Sequence, residues 1–211
     1  VNFKTFQSRS EASIAAADHI GQGITHALAA QRRATIAVSG GTTPVKCFES
    51  LRRRALDWQR VTVTLTDERC VAVEHEDSNT RLVREHLLLE AAAQARFLPL
   101  EPQALNESRA PFATCLLGMG EDGHFASLFP DADNLNQALN LDGEADCISI
   151  ATRASPHARI SLTLARILRS EQLCLLVFGD KKRAVIEQPT GTPIAHLLTQ
   201  ETTPLTVYWA N

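Results

Sequence analysis

The sequence predicts an α/β fold, a single domain on a mostly parallel, Rossmann-like sheet with helices on both faces. Three observations lead there. Short apolar runs of strand length alternate with helical patterns along the chain, which is the order of a parallel sheet covered by its own crossover helices. Turns rich in glycine and hydroxyl or charged residues follow several of those runs directly, as they do where a strand hands over to a helix. At 211 residues and 44% apolar content, the chain suits one core of ordinary size.

The elements follow in order. Ser8 with Glu11 has the form of a capping box, and Ile14, Ala17, Ile20, Ile24 and Leu28 recur at helical spacing, so the first long element is an amphipathic helix. "ATIAVSGG" reads as a short buried strand running into a turn, and Pro44 suits the first turn of a helix reaching about Arg54. A second strand, "VTVTLT" at 61–66, ends in Asp67-Glu68-Arg69, and Ser78-Asn79 caps a helix through about Glu90. Residues 99–112 hold three prolines and little periodicity, which predicts a surface connection. Further strands are expected at 113–118, 147–151, 173–178 and 205–209, and helices at about 158–169, 181–188 and 193–199.

Composition excludes some functions. A formal charge of −3 has the wrong sign for a chain that neutralises nucleic-acid phosphates over a broad face. The five cysteines lack any C-x-x-C pair, and several sit in apolar runs, so they read as reduced core thiols. The N-terminal stretch has no signal-peptide-like apolar region, and nowhere are there about 18 consecutive apolar residues. A soluble cytoplasmic protein is expected, with no membrane partner. The chain opens on Val1 rather than Met, as it would if a few residues had been lost there.

In open α/β sheets, ligands sit at the carboxyl ends of the strands, and three such loops carry unusual residues. Gly40 and Gly41 let the backbone approach a ligand closely, Thr42 and Thr43 add hydroxyls, and the helix behind them offers free N–H groups. That is an anion cradle by layout, with an ordinary strand-to-helix turn as the plain alternative. It matches neither of the common glycine-rich nucleotide motifs. Asp67-Glu68-Arg69 places two carboxylates and a guanidinium at a strand end, where a solvated ion pair is the plain alternative. "GMGEDGHFASLFP" at 118–130 is the most informative stretch. Its three glycines hold Asp122 and His124 on a turn, and histidine is the side chain suited to acid–base work near neutrality. Arg159, read as the start of a helix, and Lys182, after Gly179, are further cations for the same rim. Arg52-Arg53-Arg54 reads as an exposed helix end. "EHED" at 74–77 is attractive to a cation but lacks metal-ligand spacing, so no metal is expected.

In this order, Ser39-Gly40-Gly41-Thr42-Thr43-Pro44, Asp67-Glu68-Arg69, Ser78-Asn79, "LLGMGEDGHFASLFP", Pro156 with Arg159 and "RISLTL", "LVFGDKKRAVIE", Pro193 with "IAHLL", and "VYWA" resemble the 6-phosphogluconolactonase family over nearly the whole chain. The resemblance implies a fold similar to that of glucosamine-6-phosphate deaminase. It also implies a metal-free, cofactor-free hydrolase that opens a sugar phosphate lactone in the pentose phosphate pathway. His124 would be the general base, with Asp67 and Arg69 in the active site. Gly40, Gly41, Thr42, Arg159 and Lys182 would contact phosphate. Either Asp122 or Asp67 would orient the imidazole. The related deaminases carry a Glu five residues beyond this His and an aromatic residue after the Asp-Glu pair; here those positions are Phe129 and Arg69. A sugar-phosphate sensor without catalysis is the other alternative, disfavoured by the retained His124. A monomer or weak homo-oligomer is expected.

Overall fold

The computed structural model describes residues 1–31, 33–106 and 110–211. In chain order the strands are β1 (Asn2–Thr5), β2 (Ala34–Val38), β3 (Val61–Leu65), β4 (Asp67–Arg69), β5 (Arg96–Phe97), β6 (Thr114–Leu117), β7 (Cys147–Ile150), β8 (Arg159–Leu162), β9 (Leu173–Phe178) and β10 (Leu205–Ala210). The helices are α1 (Arg9–Ala30), α2 (Val45–Leu51), α3 (Asn79–His86), α4 (Pro102–Asn106), α5 (Leu135–Leu139), α6 (Leu164–Leu168), α7 (Asp180–Glu187) and α8 (Ile194–Thr199).

Seven strands pair in the order β1-β10-β9-β6-β2-β3-β5, every pair parallel. Every residue of β3, β6 and β10 is buried, so both faces of the sheet are covered. This accounts for runs such as "TCLL" that show no polar–apolar alternation. From β2 the chain moves outward through β3 to β5, then returns to the other side of β2 and runs through β6, β9 and β10. The direction therefore reverses between β2 and β6. At such a switch point the two following loops turn away from each other and leave a crevice.

Helix α1 lies against this sheet. Ser8 caps it by accepting from the Glu11 N–H at 3.2 Å, while the Glu11 carboxylate accepts from the Gln7 N–H at 3.2 Å. Its buried stripe is Ala12, Ala16, Ala17, Ile20, Ile24 and Ala27. Small residues dominate it because the helix packs closely; a Cβ on Gly23 would stand 2.4 Å from the Thr114 hydroxyl. Ile14, expected on this face, is exposed instead, and Leu28 is half-buried.

Several expectations need correction. Residues 158–169 are not one helix: β8 comes first, and Thr163 then caps the short α6 by accepting from the Arg166 N–H at 3.3 Å. In "RISLTL" polar Arg159, Ser161 and Thr163 alternate with apolar Ile160, Leu162 and Leu164, a period of two that outweighs the helical reading. Asp67–Arg69 is likewise strand, not loop. With β8 and β7 it forms a second, antiparallel sheet, order β4-β8-β7, and the strand expected at 147–151 belongs there. Strand β1 precedes α1 and was not foreseen, because all four of its residues are exposed at the sheet edge and carry no burial pattern. The 99–112 connection contains α4, and its residues 107–109 lie outside those described. All five cysteines are free, but Cys70 is exposed and Cys147 half-buried; only Cys47, Cys115 and Cys174 are core thiols.

Candidate active site

Adjacent parallel strands end at the same edge of a sheet, and β9, β6, β2 and β3 are adjacent. Their exits are Gly179–Lys182, Gly118–His124, Ser39–Thr43 and Asp67–Arg69. These meet in one cleft of about 380 Å³, lined by the expected Gly40, Gly41, Thr42, Asp67, Arg69, His124, Arg159 and Lys182. Asp122 alone of the expected residues does not line it. Size is not what singles the cleft out: a groove of about 850 Å³ beside α1 and α2 also carries Asp18, His26, Arg53 and Arg54, but none of the strand-exit loops lines it.

His124 sits on a turn closed by the Gly120 N–H donating to the His124 carbonyl at 2.9 Å. Behind the ring, Asp122 Oδ1 stands 2.6 Å from Nδ1 and accepts from the His124 backbone N–H at 3.2 Å. An ionised carboxylate only accepts, so the neutral imidazole carries its proton on Nδ1 and leaves Nε2 with the lone pair. Among the described residues no protein group bonds that nitrogen. Phe129 stacks on the other side, ring centroids 4.1 Å apart. Gly120 is required for this fit, because a Cβ there would lie 2.3 Å from the imidazole and 2.5 Å from Asp122 Oδ1.

Asp67 has a different neighbourhood. Its Oδ2 accepts from the Ser127 hydroxyl at 2.6 Å and from Arg159 Nη1 at 3.4 Å, and its Oδ1 accepts from Thr66 at 3.2 Å. Of the two carboxylates proposed to orient the imidazole, the one in contact is Asp122. Glu68 turns away from the cleft altogether. Its carboxylate accepts from the N–H groups of Asn79 and Thr80, both at 2.7 Å, and so caps α3.

Arg69 and Arg159 are direct partners across the antiparallel β4–β8 pair, and both reach the cleft. Like charges in directly opposed positions repel, so an anion between them would offset a cost that the empty pair carries. Arg69 is aimed by neutral oxygens, its Nη1 donating to the Asp77 carbonyl at 2.9 Å and to Asn79 Oδ1 at 2.5 Å, whereas Arg159 donates from Nε to Ser155 at 3.1 Å and from Nη1 to Asp67. Burial pulls the Arg159 pKa down, Asp67 raises it, and Arg69 lowers it again. Lys182 is half-buried, which lowers its pKa, against the opposing pull of Glu121. No carboxylate among the described residues lies within ion-pair distance of it. The cleft thus combines the imidazole of His124 with three cations, Arg69, Arg159 and Lys182.

Three contributors were not among the expected site residues. Ser127 is fully buried and bridges Asp67 to Arg159. Asn79 donates to the Asp67 carbonyl at 2.8 Å while accepting from Arg69, and it lies so close to the β2 loop that a Cβ on Gly40 would come within 1.8 Å of its Oδ1. Phe129 also has the Arg159 guanidinium 5.1 Å from its ring centre. Ser127 and Phe129 fall inside the 118–130 motif, whose density was the available signal.

The chain is similar to known proteins over nearly its whole length. The family profile described as glucosamine-6-phosphate isomerases/6-phosphogluconolactonase matches residues 7–206. A 6-phosphogluconolactonase of Rhizobium meliloti is 37% identical, the alignment covering 99% of this chain and 98% of that protein. One of Caulobacter vibrioides is 36% identical, covering 100% and 97%. The crystal structure of a 6-phosphogluconolactonase from Shewanella baltica superposes with a TM-score of 0.96 at 35% identity, covering 100% of this chain and 98% of that one. A monomeric glucosamine-6-phosphate deaminase shares the fold, with a TM-score of 0.77 at 17% identity. With nearly the whole chain matched and the motif loops gathered at one switch point, the chain belongs to the glucosamine-6-phosphate isomerase/6-phosphogluconolactonase family.

Proposed function

We propose that this chain is a 6-phosphogluconolactonase, hydrolysing 6-phospho-D-glucono-1,5-lactone to 6-phosphogluconate with His124 as general base. The observation that carries the reading is the Asp122–His124 pair, held at 2.6 Å beside a cleft that also presents Arg69, Arg159 and Lys182. A δ-lactone is an activated ester, so its hydrolysis needs a deprotonated water, a stabilised oxyanion and a placed carbonyl, and no covalent nucleophile. Nε2 of His124 takes a proton from the water attacking C1 and returns it to the ring oxygen as that bond breaks. Asp122 keeps the imidazole in the required tautomer and stabilises its protonated form. Arg159, Lys182 and the Gly40-Gly41-Thr42 turn hold the phosphate. Arg69 adds to the positive field; Asp67, directly and through Ser127, holds Arg159. No step of this scheme calls on a metal.

The test is an assay of purified protein with freshly generated lactone, following acid release above the spontaneous rate, alongside an assay for ammonia from glucosamine 6-phosphate. Rapid acid release without ammonia is expected. Ammonia production would assign the sister activity, and binding of 6-phosphogluconate without turnover a sensor; either result overturns the proposal.

A further inference from the structure

We propose that His75, Asp77 and His157 form a second site, separate from the catalytic cleft, that takes one borderline divalent cation of the zinc type. The 74–77 segment alone has poor ligand spacing, but the fold brings His157 to it from 80 positions along the chain. One ring nitrogen of each histidine and one Asp77 carboxylate oxygen lie within 4.8 Å of one another. His157 Nε2 is 3.0 Å and His75 Nδ1 3.8 Å from Asp77 Oδ2, and the two rings meet edge-on at 5.3 Å. Zinc bonds of ~2.0–2.2 Å place tetrahedral ligand atoms roughly 3.4 Å apart. Closure therefore needs movements of about 1 Å, within reach of partly exposed side chains, and frees His75 Nδ1 from the Asp77 backbone N–H that donates to it at 3.0 Å. Two imidazoles and one carboxylate suit zinc, nickel or cobalt and not the all-oxygen preference of magnesium or calcium. Solvent reaches all three groups, so water fills the remaining coordination.

Without the cation, the short His157–Asp77 contact is a hydrogen bond in which the ring donates to the carboxylate, and this is the first cause holding the Asp77 pKa below its ordinary value. Metal binding takes the lone pair of that nitrogen, so the neutral ring changes tautomer, its proton passing by way of solvent from Nε2 to Nδ1 as the metal–nitrogen bond forms. The mechanical consequence reaches the arginines. The Asp77 carbonyl accepts from Arg69, and Ser155, which accepts from Arg159, also exchanges hydrogen bonds with the backbone of His157. A cation on this triad ties together the two segments that aim Arg69 and Arg159.

The experiment titrates the chelator-treated chain with zinc chloride by calorimetry and with cobalt chloride by visible absorption. One site per chain is expected, with a cobalt spectrum lacking thiolate-to-metal charge transfer. Affinity should fall at least about tenfold in His75→Ala and in His157→Ala and stay unchanged in Cys70→Ser and His124→Asn. Zinc should raise the thermal midpoint of the parent chain and not of His157→Ala. His157→Gln, which keeps a hydrogen-bond donor, should match the parent midpoint in chelator yet fail to bind. Absence of zinc binding, binding indifferent to His157, or binding lost with Cys70 or His124 overturns the proposal.

Discussion

At the scale of single residues, the pair that matters is Asp122 and His124. The contact at 2.6 Å on Nδ1 leaves Nε2 as the basic nitrogen, so removing either member has a distinct outcome. His124→Asn should lower kcat by about 10²–10⁴ with KM little changed, as steady-state kinetics would read. Asp122→Asn releases the tautomer lock and should also act mainly on kcat; a change confined to KM would show that Asp122 serves binding instead. Arg159→Ala removes a charge-assisted contact and should raise KM about 10–100-fold, the equivalent of about 1.5–3 kcal/mol. Arg159→Lys should recover only part of that loss, because an ammonium cannot serve Ser155, Asp67 and a phosphate with one planar fork. The roles proposed for His124, Asp122 and the glycine turn were legible in the sequence because residue type and loop context carry that chemistry. Ser127 was not, since a serine shows its value only when the fold sets its hydroxyl 2.6 Å from Asp67.

Elements explain why Asp67-Glu68-Arg69 works although its three side chains do different things. In a strand successive side chains alternate, so Asp67 and Arg69 reach the cleft while Glu68 points to the other side and caps α3. Glu68→Ala leaves the Asn79 and Thr80 N–H groups without their acceptor and should cost about 1–2 kcal/mol of stability. Urea denaturation would measure it. Because Asn79 also holds Arg69, a rise in KM should accompany that loss; unchanged stability would show that the Ser78 hydroxyl, which accepts from Arg81, caps the helix unaided. The regular strands and helices of the central sheet were legible from periodicity. Strands β1 and β5 were not, being short and largely exposed at the two sheet edges, and β8 was missed because "RISLTLARIL" carries a two-residue period that passes into a helical one.

For the molecule as a whole, the buried thiols set an alkaline limit. Burial pushes Cys47 and Cys115 up from 9.0 to about 12, and Cys174 rises as well. In the unfolded chain these groups release protons near pH 9, whereas the native state retains them, so above that pH the native state binds more protons. Stability is therefore complete below about pH 9 and falls as pH rises toward the native values, by about 1.4 kcal/mol per pH unit for each thiol. Urea midpoints of the reduced protein at rising pH should show the decline, and Cys115→Ala should decline less steeply; identical slopes would remove the thiols as its cause. Among the described residues no helix is long and apolar enough to cross a membrane.

By itself the sequence determined the alternation of strands and helices, the glycine-rich turn after β2 and the histidine loop, because periodicity and backbone-permissive residues act locally. Only the tertiary structure decided which carboxylate meets the imidazole, that two arginines face each other across a second sheet, and that His157 joins His75 and Asp77. Those are contacts between residues distant in the chain or choices between rotamers. Strand order and register set them, and no local pattern encodes either.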